Sequence, residues 1–173
     1  MIEYGIINIL VKLVDHPNMS IKINTMWALM NMAFQADQKV KQQILSSENY
    51  FFKTFLLQNK YFFCKSICLA ITMEKIFQLL TEQDDNLIMK TLGLLRNLIC
   101  TKVHIDQLMN TYGTKVIQAI IMILEGEYSN LIKEQALCIL SNIADGNNSK
   151  EYIMGNEDLL RKINSFMVIG QRI

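Results

Sequence analysis

Three stretches of this sequence carry one pattern: Thr25-Met26-Trp27-Ala28-Leu29-Met30-Asn31-Met32-Ala33, Thr91-Leu92-Gly93-Leu94-Leu95-Arg96-Asn97-Leu98-Ile99 and Ala136-Leu137-Cys138-Ile139-Leu140-Ser141-Asn142-Ile143-Ala144. Their asparagines align without a gap. Ten residues before each asparagine stands an aliphatic residue, Ile21, Leu87 or Ile132, and eight before that a leucine, Leu13, Leu79 or Leu124. Three residues earlier again come Leu10, Ile76 and Ile121. Side chains three or four apart share one side of a helix, so each unit contains two amphipathic helices. A repeat of this kind constrains the fold more than any bulk property, because one unit cannot bury its apolar face without a neighbour.

The segments between the paired helices are Asp15-His16-Pro17-Asn18, Glu82-Gln83-Asp84-Asp85-Asn86 and Glu125-Gly126-Glu127-Tyr128-Ser129-Asn130. They are rich in capping and turn residues and form the corners of helical hairpins. A shorter helix is expected over Val103–Met109 and another over Ser149–Met154, giving three helices per unit. Asn97 and Asn142 are 45 residues apart, within the ~40–47 of HEAT and armadillo units, whereas Asn31 and Asn97 are 66 apart. The surplus of 21 belongs to the first interval. Gln35–Leu45 still reads as a short helix and Glu74–Leu80 as a long one, which leaves the insertion within Ser46–Met73. That stretch crowds Tyr50, Phe51, Phe52, Phe55, Tyr61, Phe62 and Phe63 together and has no acidic residue after Glu48. It reads either as a partner- or membrane-binding helix or as a non-native insert, exposed aromatic clusters being an aggregation liability.

The expected fold is therefore all-α, an armadillo/HEAT-type solenoid of about three repeats, incomplete at both ends. One domain covers 1–173, with repeat helices over about 5–45, 74–112 and 113–167 and the aromatic insertion at about 46–73. Composition agrees: 173 residues, 51% of them hydrophobic, contain a single proline, Pro17, so long helices run without a built-in breaker.

Several function classes are excluded by charge and motif content. Lys plus Arg number 17 against 16 Asp plus Glu, so no net field favours phosphate backbones or anionic lipid, and no nucleic-acid partner is expected. Lys53, Lys60 and Lys65 interrupt the most lipid-like stretch, far from the ~18 nearly uncharged residues of a spanning helix, so no membrane partner is expected either. Cys64, Cys68, Cys100 and Cys138 lack zinc or disulfide spacing and read as buried, reduced thiols. The first residues show no basic region of a secretory leader, which favours an intracellular location. His16 lies in a corner, and His104 stands two residues from Asp106 on a helix, where the two side chains do not face each other. With no glycine-rich phosphate loop as well, no catalytic residue, metal or cofactor is expected.

The binding candidates are Trp27, Asn31, Arg96, Asn97 and Asn142. An asparagine amide offers donors and an acceptor that can hold the backbone of an extended peptide. The same amides could instead bond the adjacent repeat, with Trp27 in the core. Arg96 suits an acidic group.

The strings Trp27-Ala28-Leu29-Met30-Asn31-Met32-Ala33-Phe34-Gln35-Ala36, Met89-Lys90-Thr91-Leu92-Gly93-Leu94-Leu95-Arg96-Asn97-Leu98, His104-Ile105-Asp106, Ile123-Leu124-Glu125-Gly126-Glu127 and Asn142-Ile143-Ala144-Asp145-Gly146 resemble an armadillo-repeat family of scaffold subunits in the CTLH (GID-type) E3 ubiquitin ligase. The resemblance implies a non-catalytic scaffold in cytoplasm and nucleus that links the catalytic core to a substrate receptor in ubiquitin-dependent degradation. Its partners would be ubiquitin ligase complex subunits and the substrate receptor. Trp27-x-x-x-Asn31 also resembles the pairing by which importin-α-like proteins line a groove, but Gly93 and Cys138 replace the tryptophan in the other units. The aromatic insertion and the ending Ser165–Ile173 depart from the family pattern. Two other readings stay open, a generic catenin- or importin-like peptide adaptor and a truncated fragment without function of its own. Uncapped repeat ends make self-association possible.

Overall fold

In the computed structural model, residues 5–35, 73–99 and 102–170 are described. Every regular element among them is an α-helix: α1 (Gly5–Leu13), α2 (Met19–Gln35), α3 (Met73–Leu79), α4 (Asp85–Leu98), α5 (Lys102–Glu125), α6 (Asn130–Ala144), α7 (Lys150–Met154) and α8 (Glu157–Gly170). The expected short helix over Gln35–Leu45 and the insertion at 46–73 lie outside the described residues, apart from Gln35, which ends α2, and Met73, which begins α3.

The hairpins close at the corners read from sequence. Asn18 accepts a bond from the Ile21 amide (3.3 Å), and the Asn18 amide itself donates to His16 Nδ1 (3.0 Å). Asp84 accepts from the Leu87 amide at 2.9 Å to cap α4, and Asn156 does the same for Leu159 at the start of α8. Each bond satisfies an amide that the first helical turn leaves without an intrahelical partner. In the third corner Ser129 precedes α6 without a side-chain cap bond.

The hairpins are α1–α2, α3–α4 and α5–α6, and they stack so that α2 lies along α4 and α4 along α6. One contiguous core results. In the middle unit Ile76, Leu79, Leu87, Leu92, Leu95 and Leu98 are each no more than 1% exposed. Burial of each such side chain removes apolar surface worth about 1.5–3 kcal/mol from water, which is what holds one unit to the next. Ion pairs join successive units: Lys22 with Glu82 at 2.9 Å, Lys75 with Asp15, and Lys115 with Glu74. Partly exposed pairs of this kind contribute about 0–1 kcal/mol each and set register more than stability.

One difference from the sequence expectation concerns α5. The short helix expected over Val103–Met109 and the long one ending at Leu124 form a single helix of 24 residues, and the expected unit boundary at 112/113 falls inside it. No proline intervenes, and Gly113 costs the helix only about 1 kcal/mol relative to alanine. Gly113 is buried, and the Tyr152 ring rests where its side chain would be. Tertiary packing thus holds the glycine inside the helix.

The link between α6 and α7 is fastened to α5 by one carboxylate. Asp106 accepts bonds from Ser149 Oγ (2.7 Å), Asn147 Nδ2 (3.0 Å) and the amides of Asn147 and Asn148 (3.3 Å each). The Ser149 hydroxyl, followed by these amides, holds the Asp106 carboxyl below the usual carboxylate range, against the opposing effect of burial. Gly146 completes the turn. A Cβ there would lie 2.8 Å from Ile105 Cγ2 and 2.9 Å from Asp106 Oδ1, so only glycine lets the loop approach the carboxylate this closely.

Candidate functional site

The five candidate binding residues fall in one strip across the layer formed by α2, α4 and α6. Asn97 donates from Nδ2 to the Met30 carbonyl at 3.0 Å, and Asn142 donates from Nδ2 to the Arg96 carbonyl at 3.4 Å. Met30 immediately precedes Asn31, and Arg96 immediately precedes Asn97. Each asparagine thus reaches back one unit to the carbonyl just ahead of the equivalent asparagine. The second bond is longer than the usual N–H···O range and correspondingly weaker. These amides tie unit to unit, which is the second of the two roles the asparagines could take. Asn31, at the start of the series, is exposed and has no hydrogen-bond partner among the described residues.

Trp27 is not a core residue. It is 49% exposed, and Lys90 of α4 stands over its ring at 5.0 Å from the centroid. A cation over an indole face at this distance contributes about 0.5–1 kcal/mol at an exposed site. Trp27, Asn31 and Phe34 follow one another along one side of α2, with Phe34 also exposed. On α4, Arg96 is half-buried and its guanidinium forms no ion pair among the described residues. The strip therefore offers an aromatic wall, two cations and one free amide, and its chemistry suits an acidic segment better than a basic one.

Gly93 takes the position of Trp27 on α4, and the Met30 side chain lies across it, where any Cβ would overlap the sulfur. Cys138 takes the same position on α6. It is exposed and free, which corrects the expectation of a buried thiol: apolar neighbours in sequence do not bury a residue that faces outward from the layer. The other three cysteines lie outside the described residues, as does the His104 side chain. Lys90 was missed from sequence, because a lysine on a helix reads as a solvated surface residue until its partner across the stack is known. Among the described residues no group of three or more His, Cys, Asp or Glu is placed to hold a metal ion, and no helix is long and apolar enough to cross a membrane.

No family model matches the chain. It is similar to armadillo repeat-containing protein 8 of Danio rerio, with 46% identity over 167 residues, 96% of this chain and 21% of that protein. The proteins of the same name from Mus musculus and Xenopus laevis are 45% and 44% identical over the same 96% of the chain. The chain thus spans about a fifth of the length of these relatives. Among solved structures, the crystal structure of an engineered protein matches 90% of this chain and 69% of its own, with a TM-score of 0.50 and 18% identity, a likeness of fold. By the repeat in its sequence, the all-α stack that the repeat builds and the relatives it matches, this chain is an armadillo-type solenoid segment of the armadillo repeat-containing protein 8 family.

Proposed function

We propose that the chain is a non-catalytic interaction scaffold of a CTLH (GID-type) E3 ubiquitin ligase, where it links the catalytic core to the substrate receptor in the cytoplasm and nucleus. The observation that carries the scaffold role is the open strip on α2 and α4. Trp27, Phe34 and Asn31 remain accessible there, while the equivalent Asn97 is buried in the stacking of its own repeats. A surface that keeps an indole and an amide exposed, with the half-buried cations Lys90 and Arg96 on the adjoining helix, is suited to hold a protein segment. The assignment to this ligase is supported by the family-like strings around Asn31, Asn97 and Asn142, together with the relatives named armadillo repeat-containing protein 8.

The test is a pull-down of the tagged chain from its native cells, with and without residues 48–72, read by mass spectrometry. Recovery of CTLH subunits by either form supports the scaffold reading, and recovery only after the deletion marks the aromatic stretch as disruptive. If the paired substitution Trp27→Ala and Arg96→Glu removes those subunits without lowering the melting temperature, the strip is the contact. Failure of both forms to recover any subunit refutes the ligase assignment.

A further inference from the structure

The corner between α3 and α4 carries an exposed hydroxyl that the fold does not require. Thr81 stands between the end of α3 at Leu79 and the start of α4 at Asp85. Its Oγ donates to the Gln78 carbonyl at 2.8 Å, but the Thr81 amide bonds that same carbonyl at 3.1 Å. The hydroxyl proton can therefore be lost without stranding the last turn of α3. Beside it lies an open groove of about 590 Å³, lined by Met19 of α2 and by Thr81, Glu82, Gln83 and Asp84.

The residues that follow Thr81 are Glu82-Gln83-Asp84-Asp85, three carboxylates with no cation among them. Glu82 is held by Lys22, which reaches the corner from α2 at 2.9 Å. Asp84 has extended backbone, with φ −96° and ψ 115°, and accepts from the Leu87 amide, while Asp85 is exposed. Among the described residues no other serine or threonine combines exposure with acids one and three positions ahead. Thr25, Thr91 and Ser149 are buried. The exposed Ser20, Thr111, Thr114, Ser129, Ser141 and Ser165 have no carboxylate at either position.

We propose that Thr81 is a phosphorylation site for a serine/threonine protein kinase whose basic substrate groove reads the carboxylates one and three positions after the acceptor. In the transfer the Thr81 oxygen forms a bond to the γ-phosphorus of magnesium-bound ATP. The bond from that phosphorus to the bridging oxygen breaks, ADP leaves, and the hydroxyl proton passes to the kinase's catalytic carboxylate. Glu82 and Asp84 supply the charge complementarity that selects such a groove over one built for basic substrates. The phosphate, of about −1.5 to −2 charge, then occupies the groove beside Met19. Lys22, on the next residue along the corner, offsets its repulsion from Glu82 and Asp84. The proposal concerns this corner alone and does not depend on which assembly the chain serves.

The test treats the folded full chain with magnesium-ATP and the catalytic subunit of an acid-directed serine/threonine kinase, and in parallel with a basic-directed one. Phosphorylated residues are located by tandem mass spectrometry. The acid-directed kinase is expected to modify Thr81 at least tenfold faster than the basic-directed one, and Thr81→Ala should abolish that signal. Asp84→Asn should lower the initial rate roughly fivefold or more. Asparagine caps a helix as well as aspartate does, so this variant keeps the parental melting curve and its loss of rate reports the charge. A chain whose Thr81 stays unmodified while folded overturns the proposal. So does an Asp84→Asn variant modified at the parental rate, or equal rates with the two kinases.

Discussion

Removing the Asp106 carboxylate should loosen the joint between α5 and the α6–α7 link, and the structure sets the size of the effect. The Ser149 hydroxyl is the costly partner, because Ser149 is 1% exposed and its bond to Asp106 is 2.7 Å long. Leaving a buried donor without an acceptor costs about 1–3 kcal/mol. The three bonds from Asn147 and Asn148 are exposed and at 3.0–3.3 Å, so water replaces them at little cost. Asp106→Ala is therefore expected to destabilise by about 2–3 kcal/mol at pH 7. For a chain of this size that corresponds to a fall in Tm of roughly 4–12 °C. Asp106→Asn keeps an acceptor for Ser149 but not the charge, and should lose about half as much. The pH dependence has a definite sign. The folded carboxyl is held below its ordinary value, so its stabilisation is complete above the unfolded pKa of about 3.9 and is lost as pH falls through the depressed folded value. Thermal melts followed by circular dichroism at pH 7 and at successively lower pH test both points. A parental and an Asp106→Ala chain that melt within 1 °C of each other at pH 7, within the ~2 °C that even 1 kcal/mol produces, would refute the clamp. A difference that grows toward acid pH would refute the sign.

Other outcomes follow from the same packing. Asn97→Ala should cost about 1–2 kcal/mol, Asn142→Ala less, and Asn31→Ala within about 0.5 kcal/mol of zero in urea unfolding, an order set by a bond at 3.0 Å, one at 3.4 Å and, for Asn31, none among the described residues. An Asn31→Ala loss equal to that of Asn97→Ala would contradict the ladder. Gly146→Ala should destabilise by about 1–3 kcal/mol because Ile105, Asp106 and Ser149 crowd the new methyl group. Gly93→Ala should be nearly neutral, since only the flexible Met30 side chain must move and the helix gains about 1 kcal/mol in propensity. Melting temperatures of the two variants check the contrast. Tyr112→Phe should leave stability unchanged or raise it by about 1 kcal/mol, the Tyr112 hydroxyl being buried without a hydrogen-bond partner among the described residues. A loss of more than 1 kcal/mol, about the net worth of one hydrogen bond, would mean that the hydroxyl is bonded in solution.

Determined by the sequence alone were the helical character, the hairpin corners and the unit that repeats. Those depend on local rules: Leu79 and Ile76 share a face by helical geometry, and Asn18 and Asp84 cap the amides three residues ahead of them wherever the hairpin sits. Only the tertiary structure decided what the shared residues do. An asparagine amide is equally able to hold a foreign peptide or a neighbouring helix, and the choice at Asn97 and Asn142 rests on carbonyls 67 and 46 residues away. The Asp106 clamp joins residues 41 to 43 positions apart, beyond any periodic signal. Cys138 and Trp27 are exposed for a related reason, since periodicity identifies the faces of a helix but not which of them a neighbour covers. Local patterns fix φ and ψ and the side on which a residue stands, whereas partner and exposure are set when the units meet.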